Sequence, residues 1–380
     1  MKRNASVGCI LLVLGVLLGS CEKSNENVDS TIEPLSLAET IDVGAYEIDE
    51  AVKAIESSKA YGLFVREATN KSAVEDDAPG INIYLDDIKG VYEYAPEVEE
   101  APAQNNVACQ SFFQRIDDSD WFIIHLPFEK VKEPSQLFKH SSEEAFVNNL
   151  MISTSEFVYE IDKRLLWHNY HLATRFDVDE EYAGELWVDE ESNGLFDAKT
   201  SSKFGFTDDH FIVVDTQFGD TIKVGYRLEN AEADTLFSEM VAFSLNLLGG
   251  NPNLQFEYEI QVGDVRIVKT LDEENQLVYV VYKNDELRED AVVQVIISEG
   301  ETPTSVNCLF MNKNRDLQIM LSDEPPILLS DLIGDSQEVL SSLFDSMKEL
   351  YLSKKVINRL AWQIYIENNY NGDEEGEGSD

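Results

Sequence analysis

From residue 152 to residue 321 the chain reads almost wholly as β-strand, and that run constrains the fold more than any other feature. Residues 254–262 alternate strictly: Leu254, Phe256, Tyr258, Ile260 and Val262 fall on one side, Gln255, Glu257, Glu259 and Gln261 on the other. A period of two marks a strand with one buried and one wet face. Gly263-Asp264 follows, then a second β-prone run over 265–270, and a two-residue glycine-containing link between such runs predicts a hairpin. Residues 221–228 alternate too, with Ile222, Val224, Tyr226 and Leu228 inward. Residues 291–297 are apolar on both faces apart from Gln294, which predicts a central, covered strand. Half-wet strands joined by short turns belong to antiparallel sheets.

Helical spacing appears at both ends. Over 46–58, Ile48, Val52 and Ile55 share one helical face. Over 335–351, Asp335 and Glu338 have capping-box spacing, and Val339, Leu340, Leu343, Phe344, Met347, Leu350 and Tyr351 form an apolar stripe that must be buried. Between these, strands are predicted over 62–66, 81–85, 90–94 and 121–126, an exposed loop over 96–102 and a short helix over 142–150. Pro325-Pro326 ends the β region. Alternation of Trp362, Ile364 and Ile366 predicts a final strand, with helix as the alternative. The fold class is α+β: a large twisted antiparallel sheet, able to curve into a half-barrel, with a few packed helices. The layout is a signal peptide at 1–20, an acidic tether at 21–43, a β-rich region at 44–366 with room for a subdomain boundary near 150, and an acidic tail at 367–380.

The first 21 residues carry an address. Lys2 and Arg3 precede an apolar run over 10–18 that is interrupted only by Gly15, and Leu18-Gly19-Ser20-Cys21 follows. The run is too short to span a bilayer, which takes about 20 apolar residues. Charge, length, small residues and a cysteine in that order form a secretory signal with a lipobox, cleaved between Ser20 and Cys21 and acylated on Cys21. An ordinary signal peptide and an uncleaved anchor are the alternatives. On Leu18-Gly19-Ser20-Cys21 the chain resembles Bacteroidota-type cell-envelope lipoproteins of unassigned function, and the stretch Ile81-Asn82-Ile83-Tyr84-Leu85-Asp86-Asp87-Ile88-Lys89-Gly90-Val91-Tyr92 has the look of that class. The resemblance implies a cell-envelope location and supplies no catalytic residues; the location expected for the acylated chain is the outer membrane.

The formal charge is −44, and removing Lys2 and Arg3 makes the mature chain more acidic still. Such an excess repels nucleic acid and anionic headgroups. Of the four cysteines, Cys9 leaves with the signal, Cys21 takes the lipid, and Cys109 and Cys308 remain. An oxidising envelope permits a disulfide between them, and their apolar neighbours equally suit two buried thiols. Asp189, Glu191, Asn193 and Asp197 partly imitate a calcium loop, but Thr200 stands where a bidentate glutamate is required, so a plain Asn193-Gly194 hairpin turn is expected. His168 and His171 would face opposite ways on a strand. Trp121, Trp167, Trp187 and Trp362 do not cluster and are assigned to core packing. Phosphate-loop, nucleophile-elbow and zinc-protease motifs are missing, and no cofactor is expected. The expected function is a lipid-anchored, non-enzymatic binding or interaction module, held to the membrane through Cys21. The alternatives are a carrier of a lipid or other hydrophobic ligand and an envelope hydrolase. The ligand class, whether protein, glycan or hydrophobic molecule, stays open.

Overall fold

A computed structural model describes residues 35–64, 81–95, 113–128, 147–162, 167–194, 197–246, 253–272, 274, 276–297, 315–322 and 325–370. The cleavage site Ser20-Cys21, Cys109, Cys308, the 96–102 loop and the tail beyond 370 lie outside the described residues. Helix α1 covers Leu37–Ser57. The Ser36 side chain accepts from the Glu39 N–H while the Glu39 carboxylate accepts from the Ser36 N–H, a capping box that starts the helix. The helix therefore begins well before residue 46 and includes 37–43, which the sequence reading gave to a tether. Leu37, Ile41, Ile48, Val52 and Ile55 are all buried, one stripe along its length. Helix α2, Lys59–Phe64, occupies most of the predicted 62–66 strand. The expected 81–85 strand shrinks to β1, Ile83–Tyr84, before a single helical turn, α3, Leu85–Ile88. Asp87 caps that turn by accepting from the Tyr84 N–H.

The strands that follow are β2 (Gly90–Tyr94), β3 (Phe113–Asp117), β4 (Phe122–Leu126), β5 (Leu150–Asp162), β6 (Trp167–Val178), β7 (Glu181–Asn193), β8 (Ala198–Gly205), β9 (His210–Phe218), β10 (Thr221–Asn230), β11 (Thr235–Asn246), β12 (Asn253–Val262), β13 (Val265–Leu271), β14 (Leu277–Lys283) and β15 (Glu286–Leu287). With β1 they make one 15-stranded sheet in the order β15 down to β4, then β2 and β3, with β1 beside β5. The sheet is open, and every pair is antiparallel except β2 with β4. Hairpin connection of neighbours in sequence explains this order, since two-residue turns can join only antiparallel strands. The ladder runs unbroken past residue 150, because β5 pairs with β4 and with β6. Leu150 opens β5 and 147–149 are irregular, so the described part of the predicted 142–150 helix is not helical.

A separate three-stranded sheet holds β16 (Val292–Ile297), β17 (Arg315–Met320) and β18 (Ile327–Leu328), in that order. β16 is thus an edge strand, not the covered central strand expected, and Val292 and Ile296 are exposed.

The chain then enters α4, Leu329–Tyr370, a single 42-residue helix. It starts before Asp335, which is therefore interior and no cap, and it absorbs the predicted final strand. Ile357, Leu360, Ala361 and Ile364, buried at helical spacing, explain why helix wins over the short alternation at 362–366. The Phe344 ring meets Tyr226 at 5.1 Å and Phe237 at 6.2 Å, which seats α4 on β10 and β11. Among the described residues no helix is long and apolar enough to cross a membrane.

Helix α1 runs beside α4 and crosses the β12–β13 hairpin. There Gly44 meets Gly263, whose φ of +52° belongs to the two-residue Gly263-Asp264 turn. A β-carbon on Gly44 would lie 3.1 Å from the Gly263 nitrogen, so backbone and not a movable side chain blocks it. Gly44→Val is expected to lower stability by about 1–3 kcal/mol through overpacking. A urea midpoint equal to wild type would show that α1 does not rest on this turn.

Candidate functional site

The two faces of the large sheet are told apart by their contacts with α4. Tyr170 Oη donates to Asn358 Oδ1 at 2.9 Å, and Lys354 Nζ donates to Glu190, so Tyr170 and Glu190 face the helix. Side chains alternate along a strand, so Asn169, His171, Asp189 and Glu191 face the other way. The register extends that assignment: Asn169, Glu191, Lys199, Gln217 and Lys223 form one rung across β6 to β10, and His171, Asp189, Ser201 and Asp215 form the next. These two rungs border a cleft of about 430 Å³ on the face away from the helices.

His171 stands beside the cleft, opposite the lining residue Asp189. Its Nδ1 lies 2.5 Å from Asp189 and its Nε2 2.5 Å from Glu156. Carboxylates only accept, so satisfying both requires a proton on each ring nitrogen, the imidazolium form. Partial burial pushes the His171 pKa down, but hydrogen bonds and charge from Asp189 and Glu156 outweigh it and the net shift is upward. A raised folded pKa means that the added stability is fully present below the unfolded value of about 6.5 and is lost as pH rises through the folded value. The melting-temperature gap between wild type and His171→Asn is therefore expected to be largest near pH 6 and to close as pH rises towards 9. A gap that widens with pH would rule out the charged form.

At the other end of the rungs, Asp215 accepts from Ser201 Oγ at 2.7 Å and pairs with Arg227. Arg227 also reaches Glu229 at 2.9 Å, and Glu229 meets Lys203. These carboxylates are tied across strands and do not stand as a free pair around an empty space. Further along the same face, burial together with Asp208 and Asp177 raises the Glu185 pKa against the opposing pull of Arg175.

The four residues that partly imitate a calcium loop are distributed along a hairpin and do not converge. Asp189 is held by His171, and Glu191 accepts from Asn193 Nδ2 at 3.1 Å. The Asn193 N–H donates to the Asp197 carbonyl at 2.7 Å, and Gly194 has a φ of +90°. Among the described residues no group of three or more histidine, cysteine or acidic side chains is placed to hold a metal. His168 points to the helix side, opposite His171, near Tyr159 and Tyr170, where burial lowers its pKa. Trp187 lies on the cleft side with its ring 6.3 Å from Phe211. Trp121 is 49% exposed, which corrects its assignment to the core: it sits just outside the start of β4, in the turn that precedes it.

A second feature lies on the helix side. Tyr226 touches Phe344, so Ile222, two turns of the alternation away, shares that face. Ile222 opposes Phe243, Phe243 opposes Phe256, and Leu271 opposes Leu277, giving an apolar row at one end of the strands. Phe243 and Phe256 are 5.2 Å apart, while Phe218, Ile222 and Leu277 are about half exposed.

No family model matches this chain, and neither a curated protein nor a solved structure does.

Proposed function

We propose that this chain is a lipid-anchored protein of the outer membrane, facing the periplasm or the cell surface, that acts as a non-enzymatic binding module. The lipobox ending at Cys21 supports the anchor. The observation that carries the binding role is the cleft of about 430 Å³ between two polar rungs of an open sheet, a size that suits a small ligand. In this reading the sheet curves as a half-barrel around α1 and α4, which stiffen it and leave the far face for recognition. The tied carboxylates Asp189 and Asp215 favour rigid presentation over acid–base work.

A second reading, carriage of a lipid or other hydrophobic ligand, is favoured by the apolar row that includes Phe218, Ile222 and Phe243.

The anchor is tested by Cys21→Ala, which is expected to release the protein from washed membranes into the soluble fraction. Retention after a carbonate wash would refute it. Binding is tested on the detergent-purified lipidated chain by its melting temperature with oligosaccharides and with fatty acids. A saturating ligand at a hundredfold over Kd stabilises by about 2.7 kcal/mol. A rise with saccharide supports the cleft, and a rise with fatty acid that Phe243→Asp abolishes supports the carrier. No rise with either removes the small-ligand cleft and the carrier.

A further inference from the structure

We propose that the cleft binds an acidic saccharide, with the ligand's carboxylate held between Lys199 and Lys223. The proposal rests on the binding-module reading and names its ligand class. Lys199 opposes Gln217 and Gln217 opposes Lys223 in the register, so the two ammonium groups flank one amide on a single rung. Directly opposed residues have β-carbons about 4.5–5.5 Å apart, which puts both lysines within reach of one anionic group.

Their lack of partners is the anomaly. The chain has 73 acidic and 29 basic residues, and Lys53, Lys59, Lys89, Lys203 and Lys354 each sit against a carboxylate. Lys199 and Lys223 line the cleft with no ion-pair or hydrogen-bond partner among the described residues. Two like charges two strands apart repel each other, and an anion between them reverses that energy. Four carboxylates line the cleft, and none closes on either ammonium: Asp189 is engaged by His171, Asp215 by Arg227, Glu190 by Lys354, and Glu191, directly opposite Lys199, accepts from Asn193.

The rest of the lining suits a hydroxylated body. The Gln217 amide offers both a donor and an acceptor, and Glu191 offers acceptors for sugar hydroxyls. Trp187 precedes Asp189 by two positions, so it shares that face of the sheet one rung beyond the lining, packed near Phe211. A simple inorganic anion would leave these groups unused.

The test is calorimetric titration of the detergent-purified full chain with trigalacturonate, with its fully methyl-esterified form and with acetate. Trigalacturonate is expected to bind at least about tenfold more tightly than the ester, the loss that goes with charge-assisted hydrogen bonds. Lys199→Gln/Lys223→Gln is expected to remove that preference, so that acid and ester bind alike, and acetate at equal concentration should not compete. Both lysines are exposed, so the variant should keep the wild-type circular dichroism and melting temperature. Equal binding of acid and ester, or undiminished acid binding by the double variant, overturns the lysine clamp and leaves the binding-module reading standing. Competition by acetate at equal concentration overturns the saccharide and leaves an anion site. No binding of either trisaccharide overturns the proposal. The fatty-acid titration then decides whether a binding role survives.

Discussion

Phe344→Ala is expected to destabilise the protein by about 3–5 kcal/mol. Phe344 is only 6% exposed and sits at the middle of the α4 stripe with Leu340 and Leu343, both fully buried. Its ring lies against Tyr226 on β10 and Phe237 on β11. Removing it takes away the transfer energy of the ring and leaves a cavity that a long helix on one side and a hydrogen-bonded sheet on the other cannot close. The urea midpoint should fall with little change in slope. Asn369→Ala, at the exposed end of the same helix, should stay within about 0.5 kcal/mol of wild type. If the Phe344 variant kept the wild-type midpoint, α4 would not be seated on the sheet, and its stripe would be free to meet a partner.

The β-meander was legible because alternation and turn chemistry agree. The 254–262 and 265–270 runs with Gly263-Asp264 between them form β12, β13 and their turn as read. Other turns gave no such cue. β6 and β7 are joined by Asp179-Glu180, two non-glycine residues with φ of +53° and +65°. Without that turn the register of β6 against β7 is not readable, and neither is the His171–Asp189 pairing. Glu156 is harder still, since it reaches His171 only through an irregularity between Thr154 and Glu156. Helix limits failed for a different reason. The Ser36–Glu39 box precedes a stripe diluted by Gly44 and Ala45, and the small residues that let α1 approach the β12–β13 turn weaken its helical pattern. In β16 the apolar content was legible but its edge position and the exposure of Val292, Val295 and Ile296 were not, because both depend on pairing with β17 alone, which no local pattern records. The unpaired state of Lys199 and Lys223 is likewise a property of four strands in register, invisible in any one of them.

Lys354→Met is expected to cost about 3–5 kcal/mol, because it strands the charge of Glu190 at the interface between α4 and the sheet. The two side chains are 8% and 18% exposed, and the ammonium also lies 4.2 Å from the Tyr170 ring centroid. Tyr170 in turn donates to Asn358, one helical turn along from Lys354, so the pair and the hydroxyl fix α4 at two successive turns against β6 and β7. A buried pair gives little net energy relative to an apolar pair of the same shape, but breaking it from one side leaves an uncompensated charge. The asymmetry makes the argument testable by a double-mutant cycle. Lys354→Met/Glu190→Leu should recover most of the loss, since both charges are then gone, whereas Lys354→Met alone should not. Strict additivity of the two single changes would mean that the ammonium and carboxylate do not interact, and the register of α4 on the sheet would then rest on apolar packing alone.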